Sequence, residues 1–144
     1  MYAIYALGQC KWLTGSIEEA SPLVEQAIRL SPRDPYIARW YGWIGRSHLL
    51  QSRTDEAIFW LEKARIANPG LAMVRDSLAA AYVLKGERDR AAVELAEARR
   101  LSRDDRYSSI ARWKAARYWG VPKIRVLYDT IYFPALRMAG MPEE

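Results

Sequence analysis

The amino-acid sequence predicts an all-α protein, a superhelix of three helix-turn-helix repeats followed by C-terminal capping helices. Two observations predict this fold class: small residues recur at fixed spacings in three consecutive segments, and apolar residues recur at intervals of three and four within each segment. The small residues of the first segment are Gly8, Gly15, Ala20, Ala27 and Pro32. Those of the second, 37 positions later, are Gly45, Ser52, Ala57, Ala64 and Pro69, and those of the third, a further 34 positions on, are Ala79, Gly86, Ala91 and Ala98. Since a period of this length accommodates one helix pair, we expect repeats over about 1–34, 35–70 and 71–105.

A short polar turn is expected between the two amphipathic helices of each repeat, at residues 14–16, 51–54 and 85–87. The spacing of Ser16 and Glu19 is that of a capping box at the start of a helix. Proline-containing stretches then separate one repeat from the next, because proline cannot continue a helix. The predicted order of elements is therefore helix, turn, helix in every repeat.

Two glycines fall in the middle of predicted helices, Gly8 in the first repeat and Gly45 in the second. Glycine at such a position costs about 1 kcal/mol relative to alanine. That cost is tolerated where a facing helix must approach closely, and Ala20 and Ala57 stand at the matching positions of the partner helices. The sequence therefore predicts tight contacts inside each helix pair.

Residues 106–144 depart from the repeat and are expected to cover its last helix as part of the same domain. Asp104 and Asp105 are expected to cap a helix over about 106–119, and Pro122 to stand at the first position of a final amphipathic stretch that is bent or interrupted at Pro134. The sides predicted to face inward carry Tyr107, Ala111, Ala115 and Tyr118 in the first of these helices and Ile124, Leu127, Ile131, Ala135 and Met138 in the last.

The spacing of small residues within a helix pair that closes on a proline resembles the tetratricopeptide repeat family over residues 1–103. Three features depart from that family's pattern: a second repeat three residues longer, Arg103 where a proline is expected, and Pro22 inside a helix, where we expect a kink or a frayed first turn. The resemblance implies a superhelix whose first helices line a concave side that binds proteins or peptides.

A narrower resemblance is to the C-terminal repeat region of bacterial class III adenylate or guanylate cyclase-like proteins. Four runs carry it, at residues 10–16, 31–35, 107–112 and 139–144. It implies that the chain is a non-catalytic regulatory or scaffolding part of a longer signalling protein. No catalytic residue of a cyclase matches any position here.

Composition excludes several classes of protein. With 51% hydrophobic and 27% charged residues the chain is expected to fold, and its single cysteine excludes a disulfide framework, which predicts a reduced, cytoplasmic location. No apolar run has the ~18 to 20 residues of a membrane span, and no signal peptide is recognised. We therefore expect no contact with a membrane.

Catalysis finds no support in the sequence, and no catalytic, metal-binding or cofactor-binding residue is predicted. The only histidine, His48, and the only cysteine, Cys10, are interpreted as packing residues, Cys10 as a small buried one. Acidic pairs such as Glu18-Glu19 and Asp55-Glu56 fall at helix starts, where negative charge interacts favourably with the helix dipole and stabilises the helix. No glycine-rich phosphate loop is present, so a hydrolase or transferase is disfavoured.

The leading hypothesis is a non-enzymatic module that binds a protein or peptide in its concave groove. The residues predicted to face that groove are Tyr2, Tyr5, Gln9, Trp12, Arg39, Trp43, Arg46, Met73 and Asp76. For the aromatic ones, packing on a neighbouring helix is an equally good interpretation. The Lys and Asn residues with which some tetratricopeptide proteins clamp acidic tails are replaced here by Tyr5, Gln9, Trp43 and Met73, so that clamp is absent.

A second hypothesis is nucleic-acid binding by the basic segment 99–125, which contains nine basic and two acidic side chains in a chain of net charge +5. Its candidate surface consists of Arg106, Trp113, Lys114 and Arg117. The competing interpretation, which we favour, packs Ile110 and Trp113 under the last helix with the charges in solvent. The chain is also predicted to form a homodimer, because both ends carry many apolar residues, among them Tyr2, Leu7, Tyr128, Tyr132 and Phe133.

Overall fold

The computed structural model describes residues 2–117 and 121–144, and of Arg117 only the backbone. The predictions for Tyr118, Trp119 and Gly120 lie outside these residues. The helices are α1 (Tyr2–Leu13), α2 (Ile17–Leu30), α3 (Ile37–Leu50), α4 (Thr54–Ala67), α5 (Ala72–Leu84), α6 (Arg88–Leu101), α7 (Ile110–Arg117), α8 (Pro122–Leu127), a π-helical turn (Tyr128–Tyr132) and α9 (Phe133–Met138). The described residues contain no β-strand, so the all-α fold class is confirmed.

The first six helices form the three predicted pairs, α1 with α2, α3 with α4 and α5 with α6. The three turns share one backbone geometry, because Gly15, Ser52 and Gly86 all have positive φ angles, of 95°, 60° and 89°. Glycine adopts this conformation without strain, and Ser52 is the one position of the three that does so with a side chain. The equivalent conformations explain why small residues recur at these turns.

The close helix approach predicted at the two mid-helix glycines is confirmed. A methyl group at Gly45 would lie 2.6 Å from Leu61 Cγ and 3.2 Å from the carbonyl oxygen of Ala57. One at Gly8 would lie 2.9 Å from Val24 Cγ2. Each glycine is therefore required by contact with its own partner helix.

Two predicted caps are wrong. The Ser16 side chain makes no capping hydrogen bond, and Glu19 instead forms an ion pair with Lys11 at 2.7 Å. Asp104 and Asp105 precede an irregular stretch, and α7 begins only at Ile110. The Asp104 carboxylate accepts hydrogen bonds from the backbone N–H and the Nε of Arg106. These local hydrogen bonds take the place of those that a helix cap would accept. Helix α2 runs from Ile17 to Leu30 with Pro22 inside it.

The buried side of the C-terminal helices also differs from the prediction. In α7 the buried residues are Ile110 and Trp113, as the packing interpretation of the basic segment predicts. Of the predicted inward stripe Tyr107 is buried, whereas Ala111 and Ala115 are exposed. The larger side chains gain more from leaving water, so they determine which side of this short helix faces the core.

Beyond Pro122, which starts α8 as predicted, the π-helical turn inserts one extra residue ahead of Pro134 and shifts the helical register. The residues buried in this stretch are consequently Ile124, Tyr128, Tyr132, Phe133, Ala135 and Leu136. Leu127 is half-buried and packs against the core, whereas Ile131 is only half-buried and Met138 is exposed, so the predicted stripe is wrong at Ile131 and Met138.

Residues 121–141, which we call the C-terminal segment, pack against the first helices of the repeats, α1, α3 and α5. We call the side formed by these three helices the inner face. The Tyr128 ring lies 5.9 Å from Trp12 of α1, and the Tyr132 hydroxyl is 3.2 Å from Arg46 of α3. The segment therefore spans the inner face from the first repeat to the third, where α9 packs on α5.

Candidate interaction surface on the inner face

A buried polar network joins the C-terminal segment to the inner face. Asp76 of α5 is fully buried, and its two oxygens accept hydrogen bonds from Arg46 (3.3 Å), from the Trp113 indole (2.9 Å) and from the Tyr132 hydroxyl (2.5 Å). Arg46 also donates to Ser77 Oγ, at 2.7 Å from Nη2. Four elements, α3, α5, α7 and the π-helical turn, thus meet at one carboxylate.

Electrostatics in this network follow from burial. Burial by itself lowers the pKa of Arg46, but the surrounding Tyr132, Tyr128 and Asp76 outweigh it and raise that pKa above its ordinary value. Burial raises the pKa of Tyr132 well above that of a free tyrosine. Both groups therefore keep their protons, which is the state in which they donate hydrogen bonds to Asp76.

Four of the residues predicted to contact a partner are therefore occupied within the chain. Arg46 and Asp76 form the buried ion pair, Trp12 is 2% exposed against Trp43 and Tyr128, and Met73 is 9% exposed. All four are buried, and three of them, Trp12, Arg46 and Met73, also line the cavity described below, whereas Asp76 is enclosed by Arg46, Trp113 and Tyr132. Sequence reasoning also missed Ser77 and Tyr132, which carry no motif that marks them as members of a network.

Of the remaining predicted residues, Tyr5, Gln9, Arg39 and Trp43 lie around the part of the inner face that the segment leaves open, whereas Tyr2 does not line it. Tyr2 donates a hydrogen bond to Asp34 at 2.8 Å, and Tyr5 stacks on Trp40 with ring centroids 5.0 Å apart. Burial raises the pKa of Tyr5 to about 12, so its hydroxyl stays neutral. Arg39 is exposed at the rim.

A cavity of about 230 Å³ occupies this open part, which we call the aromatic cavity. Its lining residues come from α1, α3, α5 and the C-terminal segment: Tyr5, Gln9, Trp12, Arg39, Trp43, Arg46, Met73 and Tyr128. Gln9 donates to the Tyr5 hydroxyl at 3.2 Å, which orients both side chains. Arg39 makes one weak contact here, from Nη1 to Met73 Sδ at 4.0 Å. The cavity thus combines aromatic walls with an exposed cation.

Comparison with known proteins bears on the fold. A tetratricopeptide repeat family model matches residues 2–34, which is the first helix pair. Among solved structures 18 chains match, including one described as "MamA MSR-1 C2", with a TM-score of 0.59 at 21% sequence identity over 94% of this chain and 72% of that chain. The fold is tetratricopeptide-like. No curated protein sequence matches the chain.

In this tetratricopeptide-like fold two cations of the candidate basic surface, Arg106 and Lys114, are paired with carboxylates. Arg106 pairs with Asp104 at 2.9 Å and Lys114 with Asp129 at 3.4 Å, while Trp113 is buried. The side chain of Arg117 lies outside the described residues. Pairing reduces the attraction of these two cations for phosphates.

The one cysteine and the one histidine of the sequence lie on α1 and α3. Cys10 is exposed, so its interpretation as a buried packing residue is wrong: it lies on the solvent side of α1. His48 is half-buried, and burial lowers its pKa. Within residues 2–117 and 121–144, no group of three or more potential ligands could hold a metal ion, and none of the described helices is long and apolar enough to cross a membrane.

The apolar ends differ from each other. Tyr128, Tyr132 and Phe133 are buried inside the chain, so the expectation that the C-terminal end exposes them is wrong. At the other end Tyr2 and Leu7 are about half exposed, at 52% and 49%.

Proposed function

We propose that this chain is a non-catalytic protein-interaction module that binds a peptide segment of its partner at the aromatic cavity. The observation that carries the proposal is the cavity itself, which stays open beside the docked C-terminal segment and combines aromatic walls with an exposed guanidinium. Aromatic and arginine side chains are the ones that most often anchor protein interfaces.

The walls of the cavity are held in place before any partner arrives. Tyr5 is stacked on the buried Trp40, and Trp43 meets the buried Trp12 edge to face with ring centroids 4.9 Å apart. A preorganised site loses little side-chain entropy on binding. Arg39 at the rim then supplies donors for carbonyl or carboxylate oxygens of the peptide.

The test is selection of peptides from a random library on the immobilised chain, followed by calorimetric titration of the selected peptide. Trp43→Ala and Arg39→Ala are each expected to weaken binding more than about tenfold. Arg88→Ala, an exposed change on α6, serves as the matched control and is expected to bind like the wild type. Equal affinity in all three variants, or failure to enrich any peptide, contradicts the proposal.

A finer part of the proposal concerns context: the module is the C-terminal regulatory or scaffolding part of a bacterial, cytoplasmic cyclase-like signalling protein. Its support is the resemblance of four short sequence runs. The complete reading frame tests it. A class III catalytic domain upstream is the expected result, and a different upstream domain contradicts it.

A second candidate function is self-association through α1. Its solvent side is apolar along the helix, since the exposed residues are Tyr2, Ala3, Ala6, Leu7 and Cys10. Sedimentation velocity at micromolar concentration is expected to show a dimer that Leu7→Glu converts to a monomer. A monomeric wild type contradicts this candidate and leaves the peptide site unaffected.

A further inference from the structure

A second cavity, of about 400 Å³, adjoins the aromatic cavity, because Arg39 and Met73 line both. We call it the arginine cavity. Its opposite wall is the stretch that connects α6 to α7, with Arg103, Asp104 and Arg106. This connector lies outside the helix pairs. The cavity therefore forms between the repeats and the stretch of chain that follows the third repeat.

The charges of the arginine cavity are unbalanced. Asp104 is engaged by Arg106, whose Nε and Nη2 donate to Oδ1 and Oδ2 at 2.9 Å each, and whose backbone N–H donates to Oδ1 at 3.1 Å. These hydrogen bonds hold the pKa of Asp104 well below its ordinary value. Asp104, which is the only carboxylate among the lining residues that the structure describes, is thus already paired.

Arg39 and Arg103, by contrast, are both exposed, and within the described ranges neither has a carboxylate partner. One wall therefore presents a guanidinium from α3 and the other a guanidinium from the connector. Two guanidinium groups that line the same cavity attract carboxylates, because each guanidinium can bind a carboxylate through two parallel hydrogen bonds.

We propose that the arginine cavity binds acidic side chains of the partner peptide, next to an apolar residue that occupies the aromatic cavity. This inference rests on the proposed function and specifies its ligand: an acidic segment with an adjoining apolar anchor. Because Arg39 belongs to both cavities, the acidic residues follow or precede the anchor directly in the peptide. Among the described residues of the lining, no unpaired carboxylate would repel such a ligand.

The experiment uses the full isotope-labelled chain and two probe peptides, acetyl-Phe-Glu-Glu-Glu-amide and acetyl-Phe-Gln-Gln-Gln-amide. Nuclear magnetic resonance reports the Nε–H signals of Arg39 and Arg103 and the indole signal of Trp43. We expect the glutamate peptide to bind about tenfold more tightly, with shifts at both arginines. Arg103→Gln should reduce this preference to twofold or less, whereas Arg88→Gln should preserve it.

The outcomes separate this inference from the proposed function. If both peptides shift Trp43 with equal affinity and Arg103→Gln changes nothing, the arginine cavity is not an anion site, although the peptide site stands. If the glutamate peptide shifts the two arginines but not Trp43, the acidic subsite stands and the aromatic anchor is wrong. Absence of shifts at both arginines overturns the inference, as does tighter Arg103-dependent binding of a short single-stranded DNA.

Discussion

Replacing Asp76 by asparagine tests whether the buried ion pair holds the C-terminal segment on the inner face. The carboxylate is fully buried and is the partner of the Arg46 guanidinium, which is itself almost inaccessible. The amide keeps the shape of the side chain, and its oxygen still accepts from Trp113 or Tyr132, but it supplies no charge to Arg46. An uncompensated buried cation costs about 3 to 5 kcal/mol.

That loss is a large fraction of the free energy of unfolding of a single domain, about 5 to 15 kcal/mol. Urea denaturation followed by circular dichroism at 222 nm measures it. Tyr132→Phe, which removes one hydroxyl from the same network, is expected to cost about 1 to 3 kcal/mol. Removing both charges in Arg46→Met/Asp76→Asn should cost less than Asp76→Asn alone, because no unpaired charge remains buried.

The control is Glu97→Gln, which breaks an exposed pair with Arg100 and should leave the free energy of unfolding unchanged. If Asp76→Asn is as stable as this control, the carboxylate does not neutralise Arg46 and the argument is refuted. If the double variant is less stable than Asp76→Asn, the packing and hydrogen bonds of the Arg46 side chain contribute more to the free energy of unfolding than the neutralisation of its charge.

Three further predictions concern helix packing and pH. Gly45→Ala should destabilise the chain by about 1 to 3 kcal/mol in urea, because the new methyl group meets Leu61; an unchanged midpoint would contradict the observed approach. Ala57→Trp should abolish the cooperative thermal transition, since an indole does not fit at a fully buried alanine between two helices. A melting curve like that of the wild type would show that the two helices can move apart to accommodate the indole. Burial lowers the pKa of His48 in the folded chain, so as pH falls below about 6.5 the imidazole is protonated in the unfolded chain before it is protonated in the folded one. The free energy of unfolding therefore declines below this pH, and His48→Gln should flatten that decline. A His48 titration midpoint above 6.5 in magnetic resonance would reverse this sign.

Local sequence determined the repeats of this protein. Helical periodicity, the turn positions at Gly15, Ser52 and Gly86 and the close approach at Gly8 and Gly45 follow from residues near one another along the chain. Backbone conformation and helix–helix distance depend on the size of the side chain at each position, so the pattern of small residues was sufficient to predict them.

The tertiary structure decided which part of the inner face remains accessible. Arg46 is 86 residues from Tyr132 along the chain, and no periodicity relates the two, yet their contact converts a predicted docking residue into a buried one. The π-helical turn contributes to this, since it changes which side chains of the C-terminal segment face the repeats. Burial of a charge is favourable only where a partner of opposite charge and donors of the right geometry converge. That convergence is a property of the assembled helices, and it also leaves the two cavities that Arg39 lines.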